Sequence, residues 1–304
     1  MKATTLFAKA STLLFGGLAL CALTLGSLWL APTTPALAAA GTPPAKPTPS
    51  YAGLKAAYAA EQGWLSLQTG HLNAANTVVA SVIAYIDAQK ALGVDTAAMS
   101  AALSAYQAAI AKAQASHDSA SSTLTARAGF DGSGNVTDPT QAKATVTSVH
   151  QSLNDAHATL VQADKDLHAA LTQFRALVEQ ARLGRERNWL NLQQQRLDDA
   201  NTVAGQVQTY INNQNAKGQD TSALAAALAT YQQQVAAATT AHTAAANLLA
   251  SPAGFDGSGN VTDITQAHQT LANAYSSLIS AHNTLAQAGQ AMRSALQSYR
   301  QAHK

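Results

Sequence analysis

Residues Ala128–Asp138, AGFDGSGNVTD, recur without change as Ala253–Asp263, 125 positions further along the chain. The same offset, with no gap, sets Trp64 on Trp189, Ala75-Asn76-Thr77-Val78 on Ala200-Asn201-Thr202-Val203, and Tyr106 on Tyr231. A chain built this way must fold from two copies of one unit, 51–177 and 178–304. Whatever the unit is, its connections and its core have to be repeatable.

Inside each copy the apolar spacing is helical. Met99, Leu103, Tyr106, Ile110, Ala113, His117, Ala120 and Leu124 step by fours and threes, and the copy reads Leu224, Leu228, Tyr231, Val235, Ala238, His242, Ala245, Leu249. This is a heptad seam held over more than three heptads. A third segment carries Val146, Leu153, Leu160, Leu167 and Phe174 on one heptad position and Val149, Ala156, Ala163 and Ala170 on another. Its copy has Leu271, Leu278, Leu285, Met292 and Tyr299 beside Ala274, Ala281, Ala288 and Ala295. Small residues along one stripe let helix axes approach toward the lower end of the usual ~8 to 10 Å range. The first segment is less regular, with Leu54, Tyr58, Leu65, Leu72, Val79, Val82 and Ile86 as its stripe.

Turn chemistry marks the connections. Gly93 and Gly218 suit the left-handed residue that follows a helix, and Asp95 and Asp220 stand as N-caps of the next. Asp138-Pro139-Thr140-Gln141 and Asp263-Ile264-Thr265-Gln266 read as capping-box starts. The first copy therefore holds helices over about 51–92, 95–127 and 139–176, antiparallel because the turns are short. No proline separates the last of these from the first helix of the second copy, so one helix is expected over 139–216, ~115 Å long at ~1.5 Å per residue. The expected fold is all-α: two tandem three-helix, coiled-coil-like bundles sharing a long connecting helix. This plan resembles that of spectrin-type tandem repeats. The resemblance is one of architecture alone and carries no role with it.

The junction between copies holds Arg175, Glu179, Arg182, Arg185, Glu186 and Arg187, the densest charge in the chain. With Arg175/Glu179 and Arg182/Glu186 at i, i+4, it reads as a helix face turned to water. Gly184 lies within it and costs about 1 kcal/mol against alanine, which places a bend there.

Composition and the N-terminal segment give an address. Lys2 and Lys9, an apolar run from about Ser11 to Leu30, and Ala36-Leu37-Ala38 form a secretory leader over 1–38, cut after Ala38. The rival is an uncleaved anchor, since roughly 18 to 20 apolar residues can span a bilayer. A lipoprotein reading at Cys21 is weaker, because Leu20 precedes the cysteine where a small residue is wanted. Cleavage removes Cys21, the single cysteine, and with it any thiolate or disulfide chemistry. Residues 39–50, with four of the eight prolines, form a spacer. Removing two lysines from 18 basic residues leaves 16 against 16 acidic ones, a neutral mature chain. Only 11% of the whole sequence is charged, which excludes a nucleic-acid binder and a disordered polyelectrolyte.

Candidate sites are few. Asp131, Ser133 and Asn135, with their copies Asp256, Ser258 and Asn260, place oxygen atoms at alternate positions as calcium loops do. Val136 then stands where an EF-hand needs glycine, and Ala142 where it needs the bidentate glutamate, so a helix connector is the competing account. Trp64 with Phe130, and Trp189 with Phe255, are expected to close the bundle ends. His117 and His242 fall on the seam as core imidazoles. His150, His157 and Asp164 share one face, with Asp164/His168 at i, i+4, but their copies Tyr275, His282, Gly289 and Arg293 do not form an equivalent metal set. No nucleophile elbow, HExxH, Walker loop or dinucleotide fingerprint occurs. The sequence thus suggests an exported, non-enzymatic spacer or protein-interaction module at the cell envelope, without a cofactor, meeting a protein partner or itself. The alternatives are a small-ligand or calcium-binding bundle and a membrane-anchored ectodomain, with membrane contact only if the leader is retained.

Overall fold

The structure, a computed structural model, describes residues 51–303. The leader 1–38, Cys21 and the spacer 39–50 lie outside the described residues. Those described are all-helical, with five helices: α1 (Tyr51–Ala91), α2 (Ala97–Ala126), α3 (Pro139–Asn215), α4 (Ser222–Ala250) and α5 (Ile264–Ala302). The long helix foreseen over 139–216 is α3, 77 residues without interruption. Gly184 sits inside it with helix on both sides, so its conformational freedom does not break the ladder there.

The chain divides into two compact units, each assembled from separate stretches. Unit 1 takes the residues up to Thr77 and Ile110–Gln162, and unit 2 takes Val78–Ala109 and everything from Ala163 onward. These limits fall inside helices and do not follow the sequence repeat.

Unit 1 is built on Leu54, Tyr58 and Trp64 of α1, Ala120 and Leu124 of α2, and Ala142, Val146, Val149 and Leu153 of α3, with Phe130 from the loop between. Unit 2 has one apolar cluster running from Leu197 through Ile211, Leu224 through Ala238, and Ala281 through Tyr299. A smaller one joins Leu183, Leu249, Leu271 and Ala274. All eight seam residues of α2 and all eight of α4 are buried. The first stripe is different: Leu65 and Val79 are only half-buried, while Glu61, Gln68 and Gln89 occupy the interior of α1.

The connections follow turn chemistry with two changes. Gly93 and Gly218 adopt φ of 76° and 77°, as the left-handed exit from a helix requires. Asp95 and Asp220 each accept the N–H two residues on, from Ala97 and Ser222 at 2.9 Å. The helices begin at those acceptor turns, so each aspartate stands just ahead of the N-cap position. At α3 and α5, Asp138 Oδ1 accepts from Thr140 and Gln141 N–H at 2.8 and 3.1 Å, and Asp263 Oδ1 from Thr265 and Gln266 at 2.9 and 3.0 Å. The returning half of the capping box is absent from these starts: the N–H of Asp138 and of Asp263 goes to the carbonyl of Gly129 and of Gly254.

Candidate functional site

The repeated AGFDGSGNVTD segment folds into the same loop twice. Gly129 and Gly254 sit at φ 83° and 86°, pressed so closely on the start of the next helix that a Cβ would lie 2.1 Å from Ala142 N or 2.2 Å from Ala267 N. Their carbonyls accept Thr137 and Thr262 N–H at 2.9 and 2.8 Å. Within the loop Asp131 Oδ1 accepts from Ser133 N and Asn135 N at 2.8 Å each, and Oδ2 accepts from Asn135 Nδ2 at 2.9 Å. Asp256 repeats the set with Ser258 and Asn260. These bonds, from the asparagine side chain first and from backbone N–H groups next, hold both carboxyls below the usual carboxylate range. The six oxygen-bearing residues singled out in the sequence are therefore brought together as two triplets, with each aspartate already accepting three N–H donors. In unit 1 the Asn135 amide oxygen also accepts from Lys55 Nζ at 2.6 Å. In unit 2 Asn260 accepts from Gln180 at 3.4 Å.

Trp64 and Phe130 share one apolar cluster, as expected, but their nearest rings are others. Phe130 meets Tyr58, with ring centroids 4.3 Å apart, and Tyr58 donates to Leu124 O at 2.7 Å. The Trp64 ring lies beside His150 and His157, at 5.6 and 6.4 Å. In unit 2 Phe255 packs on the cluster of Leu183, and Trp189 lies 5.4 Å from Tyr275. Spacing along a helix orders residues by level but does not say which of two neighbours a ring will touch.

The dominant polar feature is a buried layer that apolar periodicity could not reveal. Glu61, Trp64 and Gln68 recur as Glu186, Trp189 and Gln193, at i, i+3 and i+7 on the inward side of a helix. Neither amide atom of Gln68 or Gln193 has a hydrogen-bond partner among the described residues, nor has the indole N–H of Trp64 or Trp189. Leaving a buried polar group unpaired costs about 1 to 3 kcal/mol. The signal was available as an ExxWxxxQ string repeated at the common offset, but a search for apolar stripes reads glutamate and glutamine as gaps.

In unit 1 Glu61 Oε1 lies 2.9 Å from His150 Nδ1. Burial raises the Glu61 carboxyl above its ordinary range, opposed by the hydrogen bond and charge of His150. His157 faces His71, ring centroids 6.3 Å apart, and burial together with the repulsion of His157 lowers His71. The core-imidazole reading of His117 and His242 has its partners here: His117 Nε2 lies 3.0 Å from Thr69 Oγ1 and 3.3 Å from Leu65 O, and His242 Nε2 lies 3.1 Å from Leu190 O. The sequence grouping of His150, His157 and Asp164 is not drawn together, because His150 and His157 turn to partners on α1. Among the described residues no three His, Cys, Asp or Glu side chains form a metal cage.

The reading of the charged junction as a solvated face holds for Arg185 and Arg187, which are exposed, and fails for its two glutamates. Glu179 and Glu186 are 8% and 5% exposed, and Arg182 reaches both, Nη1 at 3.7 Å from Glu179 Oε2 and Nε at 3.5 Å from Glu186 Oε1. His268 Nδ1 from α5 is 2.8 Å from Glu179 Oε1. Arg187 donates to Leu249 O at 3.1 Å and Arg196 to His282 Nδ1 at 2.8 Å. Spacings of i, i+4 look the same whether a helix face meets water or another helix, which is why the sequence could not separate them.

No protein-family model matches the chain, and comparison with curated proteins and with solved structures finds no match.

Proposed function

We propose that the protein is an exported, non-enzymatic helical spacer and protein-interaction module of the cell envelope, built as two tandem three-helix bundles that share α3. The observation that carries this reading is the unbroken α3: its first turns supply Ala142, Val146, Val149 and Leu153 to one core, and its last supply Leu197, Val207 and Ile211 to another. The proline spacer and leader support placement outside the cytoplasm, and the lack of recognisable catalytic strings supports a binding role rather than turnover. Among the described residues no helix is long and apolar enough to cross a membrane.

Leu67 and Leu192 support an interaction surface. They occupy the same place in the two copies and are 51% and 49% exposed, an arrangement with no use inside either core. Single exposed leucines are ordinary, but the same exposed leucine in both copies gives each unit its own equivalent contact. The partner is another envelope protein or a second copy of the chain. Capture from native envelope extracts with the full chain, alongside a Leu67→Asp, Leu192→Asp variant, tests the reading. The native chain is expected to retain a partner, or to self-associate in sedimentation, and the variant to lose it; equal behaviour of the two removes the surface. The N-terminus of protein purified from its source decides between a secreted chain beginning near Ala39 and an anchored one beginning at Met1.

A calcium-binding role draws on the Asp131 and Asp256 triplets. Each loop is already closed by its own N–H donors, so a calcium titration followed by calorimetry is expected to show no heat; saturable binding lost in Asp131→Asn and Asp256→Asn would install the ligand-binding reading instead.

A further inference from the structure

In unit 2, Glu179 and Glu186 stand seven residues apart on α3 with Arg182 between them, and each acid keeps its Oε2 buried without a hydrogen-bond donor. Glu179 also has His268, at 2.8 Å, whereas Glu186 meets the shared Arg182, at 3.5 Å. Arg182 thus lies between two enclosed carboxylates, 3.7 Å from Glu179 and 3.5 Å from Glu186, and of the two only Glu179 has a histidine in ion-pair range among the described residues. We propose that this cluster is a proton-operated clamp: Glu186 takes up a proton as the unit closes, so that unit 2 is held more tightly in mild acid than in mild alkali.

The groups that face the cluster are few. On α3 itself Arg185 favours the Glu186 carboxylate and Glu179 opposes it. Tyr85 lies within the field of Arg175 and Glu179. From α5 comes His268, and α4 contributes the Leu249 carbonyl bound by Arg187, with His242 held at Leu190 O. Burial outweighs the attraction of Arg182 and pushes the Glu186 carboxyl up to about 7. The folded unit therefore retains a proton that the unfolded chain, with its ordinary value of 4.5, releases. Stability from this group is complete below 4.5, falls as pH rises toward 7 and is level above that. The His282 layer has the opposite sign, since burial and then Arg196 lower that imidazole. Its contribution is lost as pH falls below the ordinary 6.5, so a measurement on the whole chain would blend the two.

Residue-resolved hydrogen exchange separates them. With native full chain and Glu186→Gln compared at each pH from 5 to 8.5, the intrinsic exchange chemistry cancels. The opening of 183–190 and 268–275 in the native chain, relative to the variant, is expected to grow by up to about tenfold per pH unit between 5 and 7 and then to level off. A ratio that stays constant with pH overturns the clamp. Carboxyl carbon NMR of the native chain needs no variant: a Glu186 midpoint in the ordinary carboxylate range likewise overturns it.

Discussion

The two units answer the same problem with different cations. At the level of the repeated tryptophan, unit 1 sets Glu61 against His150 and His157 against His71, whereas unit 2 sets Glu186 against Arg182 and His282 against Arg196. The offset makes the substitution explicit, for Arg196 stands where unit 1 has His71 and Arg182 where it has Ala57. An imidazole sheds its charge to enter a core, while a guanidinium keeps it and must be paired. A duplicated helical frame can therefore carry an imidazole-based polar layer in one copy and a guanidinium-based one in the other without altering the apolar seams around it.

The largest expected effect tests what the copies share. Gly129→Ala and Gly254→Ala each drive a Cβ into the next helix's first turn at a left-handed φ, a clash and strain together worth roughly 3 to 5 kcal/mol. Chemical denaturation should show losses of similar size for the two, and a much smaller loss at one would show that the loops are not equivalent in energy.

A middle-sized effect bears on the polar layer. Gln68→Leu and Gln193→Leu remove amides that have no partner among the described residues and are expected to stabilise by about 1 to 3 kcal/mol in thermal unfolding. A loss of stability in either would mean that its amide is satisfied in solution.

The smallest contrast lies in the loops. Arg127 adopts φ of 52°, unusual outside glycine, and its counterpart is Pro252, which is fixed in the negative range. Arg127→Gly is expected to stabilise by roughly 0.5 kcal/mol, the relief of the left-handed strain less the glycine's greater freedom when unfolded. No change or a loss would assign the difference to the Arg127 contact with Gly132 O, at 3.4 Å.

Much of this was legible in advance where side chains of one character repeat at a fixed interval. The seams of α2 and α4 were, because eight residues at alternating three and four spacing admit only one inward face. So were the left-handed glycines and the acidic starts of α3 and α5, whose geometry is decided within a few residues. The interior of α1 was not, since Glu61 and Gln68 sit where the pattern calls for leucine. Nor was the pairing of Phe130 with Tyr58, which depends on how helices are rotated against one another. The burial of Glu179 and Glu186 was missed for the same reason.

By itself the sequence determined the helical class, the repeated unit and the loop that closes it, because periodicity, capping and glycine conformation are local and act within a turn or two of the chain. Tertiary structure alone decided which polar side chains leave water, since desolvation depends on what a neighbouring helix covers. In this protein that choice took Glu179 and Glu186 out of water at a junction whose Arg185 and Arg187 stay exposed, and it is there that the protonation of unit 2 is coupled to its packing.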